Sequence, residues 1–240
     1  VDQTTSMHQY NKLHANGKQV ANANIFGAKF LRELTKTLKL INSNVILMAE
    51  DHSNWNKVTQ SAKQGGLGFD ATWYADFYHH LIGDAQKGIN YAKLILTAGI
   101  STDIPLAMDY LAGVLSASAD QKVVYHESHD EAGNSADKTS KRTIVAAVNS
   151  APLIGETRRY AEARARFACG MAMLSAGTPM FFMGEEVGAQ KPYRYEDFFY
   201  NRKDLLSARQ NTGQYLFKFY QDIIRLRLAN LALKSHNIDI

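Results

Sequence analysis

Three short apolar runs in this chain each end directly in acidic residues. Val45-Ile46-Leu47-Met48-Ala49 runs into Glu50-Asp51-His52, Val123-Val124-Tyr125 into a stretch ending His129-Asp130-Glu131, and Pro179-Met180-Phe181-Phe182-Met183 into Gly184-Glu185-Glu186. Continuous apolar runs this short suit strands buried on both faces. Gly65-Gly66-Leu67-Gly68-Phe69-Asp70 reads as a turn into a further short strand. Helical stretches lie between and after the strands. Residues 24–41 repeat Phe30, Leu31, Leu34, Leu38 and Ile41 at helical spacing, with Asn22 or Asn24 as cap. Residues 74–82, 103–115 and 215–232 read as helices, as do residues 159–176 with Phe167, Met171 and Leu174 inward. Residues 133–157 show no period and read as a long loop. Strands alternating with helices predict a parallel sheet. In a (β/α) barrel the strand ends converge on one face, where active sites lie. Three acid-rich strand ends therefore predict a site.

Composition narrows the remaining classes. At 45% apolar and 21% charged residues the 240-residue chain is neither disordered nor collagen-like. No apolar stretch is long enough to cross a membrane as a helix. The single cysteine, Cys169, leaves no disulfide framework or multi-cysteine zinc site, reads as a core residue, and fits a reducing, cytoplasmic compartment. The net charge of +4 is mild, and Lys29, Arg32, Lys36 and Lys39 read as one solvated helix face. Nothing in this pattern predicts a nucleic-acid face. His126, Glu127, His129 and Asp130 lack the spacing of a helical metal motif, so no metal site is expected. Gly65-Gly66-Leu67-Gly68 is followed by no Lys-Ser/Thr pair and is not a phosphate loop.

Four stretches resemble the α-amylase superfamily, glycoside hydrolase family 13. Val1-Asp2 with Thr4-Thr5-Ser6-Met7 resembles the end of the fourth barrel strand in branching enzymes, and Met48-Ala49-Glu50-Asp51 the fifth-strand motif. Ser128-His129-Asp130-Glu131 resembles the seventh strand, and the run from Ser175 to Glu186 the eighth. The Asp2 stretch and the Ser-His-Asp-Glu motif look like 1,4-α-glucan branching enzyme. Glu50-Asp51-His52, Phe69-Asp70-Ala71-Thr72-Trp73, Asp76-Phe77-Tyr78-His79-His80 and Gly133-Asn134 look more like malto-oligosyltrehalose trehalohydrolase. The fold implied is α/β, a partial (β/α)8 TIM barrel. Residues 1–240 would be the C-terminal portion of the catalytic barrel, from the end of strand four through helix eight.

The resemblance implies retaining chemistry, in which one carboxylate attacks the anomeric carbon and a second carboxyl protonates the leaving oxygen. Asp2 would be the nucleophile, Glu50 the acid/base, and Asp130 the third carboxylate, holding sugar hydroxyls together with His129. Glu50 would need a raised pKa, from burial or from the neighbouring carboxylates. Asp51 would turn away from the site, since successive strand residues face opposite sides, and would be structural. Trp73, Tyr74 and Tyr125 stand near strand ends, where a ring either fills the core, the commoner case, or stacks on a sugar. Trp55, in a polar loop after the acid motif, is the better sugar-contact candidate.

The chemistry needs no cofactor, and calcium ligands found in some relatives are not identifiable here. The expected partner is an α-glucan such as glycogen, starch or a maltooligosaccharide. Ser128 stands where hydrolytic amylases commonly have Asn, which suits transfer to a 6-hydroxyl over transfer to water. The alternatives are a hydrolase of the α-amylase or trehalohydrolase type and a non-catalytic glucan-binding relative, which would commonly lack one of the three carboxylates. The N-terminal barrel strands are expected upstream, in a longer parent chain, and the 240 residues alone are expected to be poorly active.

Overall fold

A computed structural model describes residues 1–9, 25–83, 92–99, 107–134, 142–192, 205–235 and 237. The predicted caps Asn22 and Asn24, the start of the helix expected over 103–115, and residues 135–141 of the expected loop lie outside them. The chain divides into two compact units. The first comprises Val1–Tyr74 with Gln121–Val123, and the second Ala75–Asp120 with Val124–Ile240. Strands and helices alternate, and the strands run parallel in the order β1-β2-β3-β4, as in part of a (β/α)8 barrel.

In the first unit, β1 (Met48–Ala49) pairs with β2 (Ala71–Trp73), Met48 opposite Ala71. β2 pairs with β3 (Lys122–Val124), Thr72 opposite Lys122. β1 is shorter than the apolar run from Val45 to Ala49 that predicts it. Val1 extends the ladder, because its α-amino group donates to the Met48 carbonyl (2.7 Å) and its carbonyl accepts from the Glu50 amide (2.9 Å). A five-residue helix, α1 (Thr4–His8), follows.

Helix α2 (Ile25–Ile41) buries Ala28, Leu31 and Thr35 against Leu47, Ala49, Val58, Leu67 and Phe69. Burying Leu31 completely contributes roughly 1.5–3 kcal/mol. Leu34 and Leu38 pack at the margin, but Phe30 and Ile41 are exposed, at 54% and 76%. The predicted apolar stripe was thus wider than the face that packs. The basic stripe is also only half solvated. Arg32 donates to the carbonyls of Gly65 and Gly66, and Lys39 binds Asp70 and the Val45 carbonyl. Gly66 is required by close approach, since a Cβ there would stand 2.1 Å from the Gln60 carbonyl oxygen.

The second unit holds α3 (Ala75–Leu81), α4 (Leu94–Ala98), α5 (Met108–Ala117), α6 (Thr143–Ala146), α7 (Gly155–Leu174), β4 (Thr178–Pro179) and α8 (Gln214–Ala229). The Met180 amide donates to the Val124 carbonyl beside β4 (2.9 Å). The predicted long loop contains α6 and the first turn of α7. Phe167 and Leu174 of α7 face outward, at 48% and 45% exposure, while Ala161, Ala165, Ala168, Cys169, Ala172 and Met173 are buried. The two sets share the same helical period, and only packing chooses between them. Small residues let α8 approach, and Ala165, Cys169 and Met173 meet Leu216, Tyr220 and Ile223. Arg227 of α8 closes the C-terminal end of α7. Its guanidinium donates to the carbonyls of Met173 (2.7 Å), Ser175 (2.7 Å) and Gly177 (2.8 Å).

Candidate active site

Asp2, Glu50, Trp55, Trp73 and Tyr74 belong to the first unit, and His129 and Asp130 to the second. The ladder between Val1 and Glu50 brings Asp2 and Glu50 together, with carboxylate oxygens within 4.8 Å of each other. Glu50 is 3% exposed and accepts from the Gln3 amide at 3.4 Å, whereas Asp2 is exposed. His52 Nε2 stands 3.7 Å from Glu50 Oε1, and its ring meets Trp73 edge-on at 6.3 Å.

The aromatic candidates divide. Trp73 is half-buried beside His52. Trp55 is half-buried as well, packing on the α2 core with its ring 5.1 Å from that of His8. Tyr74 and Tyr125 are buried and are core rings. Lys122 Nζ lies 5.2 Å from the centre of Tyr74, and Tyr125 stacks on Tyr78. Tyr74 is 6% exposed, so little of its ring reaches solvent.

Asp51 is 3% exposed. Its carboxylate accepts from Thr4 Oγ1 (2.9 Å), from the Ser53 amide (2.9 Å) and from the Ser53 hydroxyl, and pairs with His8 Nε2 (2.7 Å). Burial alone would raise its pKa, but the hydrogen bonds from His8, Ser53 and Thr4 outweigh it and hold the carboxyl at about 2.

In the second unit His129 Nε2 lies 3.6 Å from Asp130 Oδ1, and both side chains are partly exposed. Ser128 shapes their turn. Its hydroxyl accepts from the Asp130 amide (3.1 Å) and donates to the Glu131 carboxylate. Beneath lies a buried network that the sequence reading missed. Glu127 accepts from the Thr143 amide (2.6 Å), capping α6 from outside the helix, and faces Arg142 Nη2 at 3.1 Å. Arg142 also donates to the Met183 carbonyl at 3.1 Å. Tyr220 donates to Glu185 Oε1 at 3.0 Å, and His126 Nε2 lies 3.3 Å from the same oxygen.

Burial raises the pKa of Glu185 well above the carboxylate range, and Glu127 beside it adds to the rise. Burial raises Glu127 too, against the opposing pull of Arg142. Burial, then Arg142, pushes His126 down to about 3, so its ring is neutral. His126, Glu127 and Glu185 have the donor types and spacing of a cation site, with atoms within 4.8 Å of one another. The guanidinium of Arg142 already supplies the positive charge there. The acids at 127 and 185 were legible as strand-end residues. Arg142 was not, because it lies in a stretch with no period.

No family model matches the chain. Part of it is similar to a 1,4-alpha-glucan branching enzyme of Rhizobium johnstonii, 40% identical over 58 residues, which is 24% of this chain and 8% of that protein. A branching enzyme of Francisella philomiragia is 46% identical over 50 residues, 21% of this chain and 8% of the relative. The branching enzyme of Geobacillus stearothermophilus is 26% identical over 85 residues, 35% and 13%. The matches span about a tenth of the length of these curated relatives. The fold is similar to that of a pullulanase from Paenibacillus barengoltzii, solved with maltohexaose and alpha-cyclodextrin. The TM-score is 0.51 at 16% identity, over 86% of this chain and 32% of that one. The chain resembles the α-amylase superfamily. Among the described residues no helix is long and apolar enough to cross a membrane.

Proposed function

We propose that this chain carries catalytic machinery of a retaining enzyme that cuts α-1,4-glucosidic bonds in a glucan and transfers the cut chain to a 6-hydroxyl. The observation that carries this reading is the pair Asp2 and Glu50. One is an exposed and the other a buried carboxyl, with oxygens within 4.8 Å of each other at the end of a parallel strand. Retaining enzymes hold their two carboxyl groups about 5–5.5 Å apart, whereas inverting enzymes leave room for a water.

In the first step an Asp2 oxygen attacks C1 of the glucosyl unit. The C1–O4 bond breaks, and the leaving O4 takes the proton from Glu50. In the second step a 6-hydroxyl oxygen attacks C1 and gives its proton to the Glu50 carboxylate. The C1–Asp2 bond breaks, and the α configuration is restored after two inversions. His129 and Asp130 hold sugar hydroxyls, the role the resemblance implies. Ser128, closing its turn on the Asp130 amide, sets the pose of that pair. Its place in the motif favours a sugar acceptor over water.

The test is incubation of the longer parent chain, carrying the expected upstream barrel strands, with amylose, counting new reducing ends and new α-1,6 linkages in one sample. Branches without reducing ends are expected, and Glu50→Gln should abolish them while glucan binding persists. Reducing ends without branches would replace the transferase reading with a hydrolase. Neither product, with Glu50→Gln binding amylose as the parent does, would favour a non-catalytic glucan binder.

A further inference from the structure

The short helix α1 begins two residues after Asp2, and at five residues it is far below the length at which a helix persists by itself in water. Side-chain bonds hold it instead. Thr4 and His8, its first and last residues, both reach the Asp51 carboxylate, at 2.9 and 2.7 Å, and are themselves 0% and 1% exposed. The Thr4 amide and hydroxyl also contact the Glu50 carbonyl, at 3.0 and 2.7 Å. Thr5 Oγ1 accepts from the His52 amide at 2.8 Å. The His8 Nδ1 atom is buried with no hydrogen-bond partner among the described residues, so Asp51 is the polar group that orients this ring. Trp55 packs against the same ring. Ser53 fixes the far oxygen of Asp51, so the carboxylate has little freedom of its own.

We infer that Asp51 is the positioning residue of the nucleophile: with Thr4 and His8 it locks the segment behind Asp2 to the strand that carries Glu50, and so fixes the separation of the two carboxyls. The inference rests on the role proposed above for Asp2. Asp51 touches no substrate, and its effect passes through Asp2. An Asn at 51 keeps the size but loses the charge that binds His8 and one of the acceptor oxygens. A misplacement of about 1 Å at a reacting carboxylate costs on the order of a hundredfold in rate.

The full chain is assayed with α-maltosyl fluoride, reading fluoride release. Fluoride leaves without a proton from Glu50, so the first step reports the attack of Asp2 alone. In that step the C1–F bond breaks as the C1–Asp2 bond forms, and water or a sugar hydroxyl then releases the glycosyl group, its proton passing to Glu50. Asp51→Asn and Thr4→Val should each lower kcat on the order of a hundredfold with KM within about twofold, the signature of an interaction made in the transition state only. Thr4→Ser keeps the hydroxyl and should restore most of the rate. The pH profile of Asp51→Asn should keep the parent's shape, since a positioning carboxylate gives up no proton.

Amide hydrogen exchange is followed on the same proteins. Residues 3–9 should gain exchange in Asp51→Asn well beyond any gain in α7. Parent-like kcat with unchanged exchange at residues 3–9 would overturn the inference. So would a rate loss in which residues 3–9 gain no more exchange than the rest of the chain, which would mark general loosening. If the parent itself releases no fluoride, the nucleophile role of Asp2 fails and the catalytic consequence of Asp51 with it. Exchange at residues 3–9 then still decides whether Asp51 holds the segment.

Discussion

Two buried carboxylates, Asp51 and Glu185, are pushed in opposite directions by their surroundings. Asp51 is held at about 2 from an ordinary value near 3.8, so it contributes stability that is present above its unfolded pKa and lost as pH falls through about 2. The shift corresponds to about 2 kcal/mol. Asp51→Asn should remove that contribution, which urea melts of both proteins between about pH 5 and about pH 2 would read as two curves converging in acid. Glu185 is raised by burial and by Glu127, so ionising it opposes folding, and stability present below its unfolded pKa is lost as pH rises through its folded pKa. Glu185→Gln keeps an acceptor for Tyr220 and should leave stability unchanged near pH 5 while gaining on the parent at alkaline pH, measured by denaturation midpoints. The sequence made both acids visible, through their places at strand ends. It could not show that His8 pairs with one and Tyr220 with the other, because those partners lie 43 and 35 residues away.

At the scale of elements, hydrophobic period located α2, α7 and α8 but left their phase open. In α7 the large residues Phe167 and Leu174 drew the reading to one face, and the alanine face is the one that packs. Helix α6 was invisible, since four residues carry no period and its N-terminal cap comes from Glu127 on a distant strand end. Arg227 ties the end of α7 to α8 by donating to the carbonyls of Met173, Ser175 and Gly177. Arg227→Met retains the aliphatic stem and should cost about 2–3 kcal/mol, readable by urea denaturation. Gly184 is another fixed point. Its φ is +94°, and a Cβ there would stand 2.7 Å from Arg142 Nη2 and 2.9 Å from Ala189 Cβ. Gly184→Ala should therefore destabilise by more than the ~1 kcal/mol typical of glycine replacement, as strain adds to the clash.

Across the whole molecule, the alternation of apolar runs with amphipathic helices was enough to predict a parallel α/β sheet, and the structure has one. The division into two compact units was not legible, because it follows from which contacts form across the chain and no linker composition marks it. The functional reading depends on residues that sequence places far apart and the fold brings together, Asp2 beside Glu50 above all. In the proposed mechanism Asp2 becomes covalently glycosylated. This step is tested most directly by incubating the longer parent chain with 5-fluoro-α-maltosyl fluoride, which slows release of the intermediate, and sequencing the labelled peptide by mass spectrometry. A maltosyl adduct on the peptide bearing Asp2, absent in Asp2→Asn, is the expected result. An adduct on another carboxylate, or none at all, would rule out Asp2 as the nucleophile.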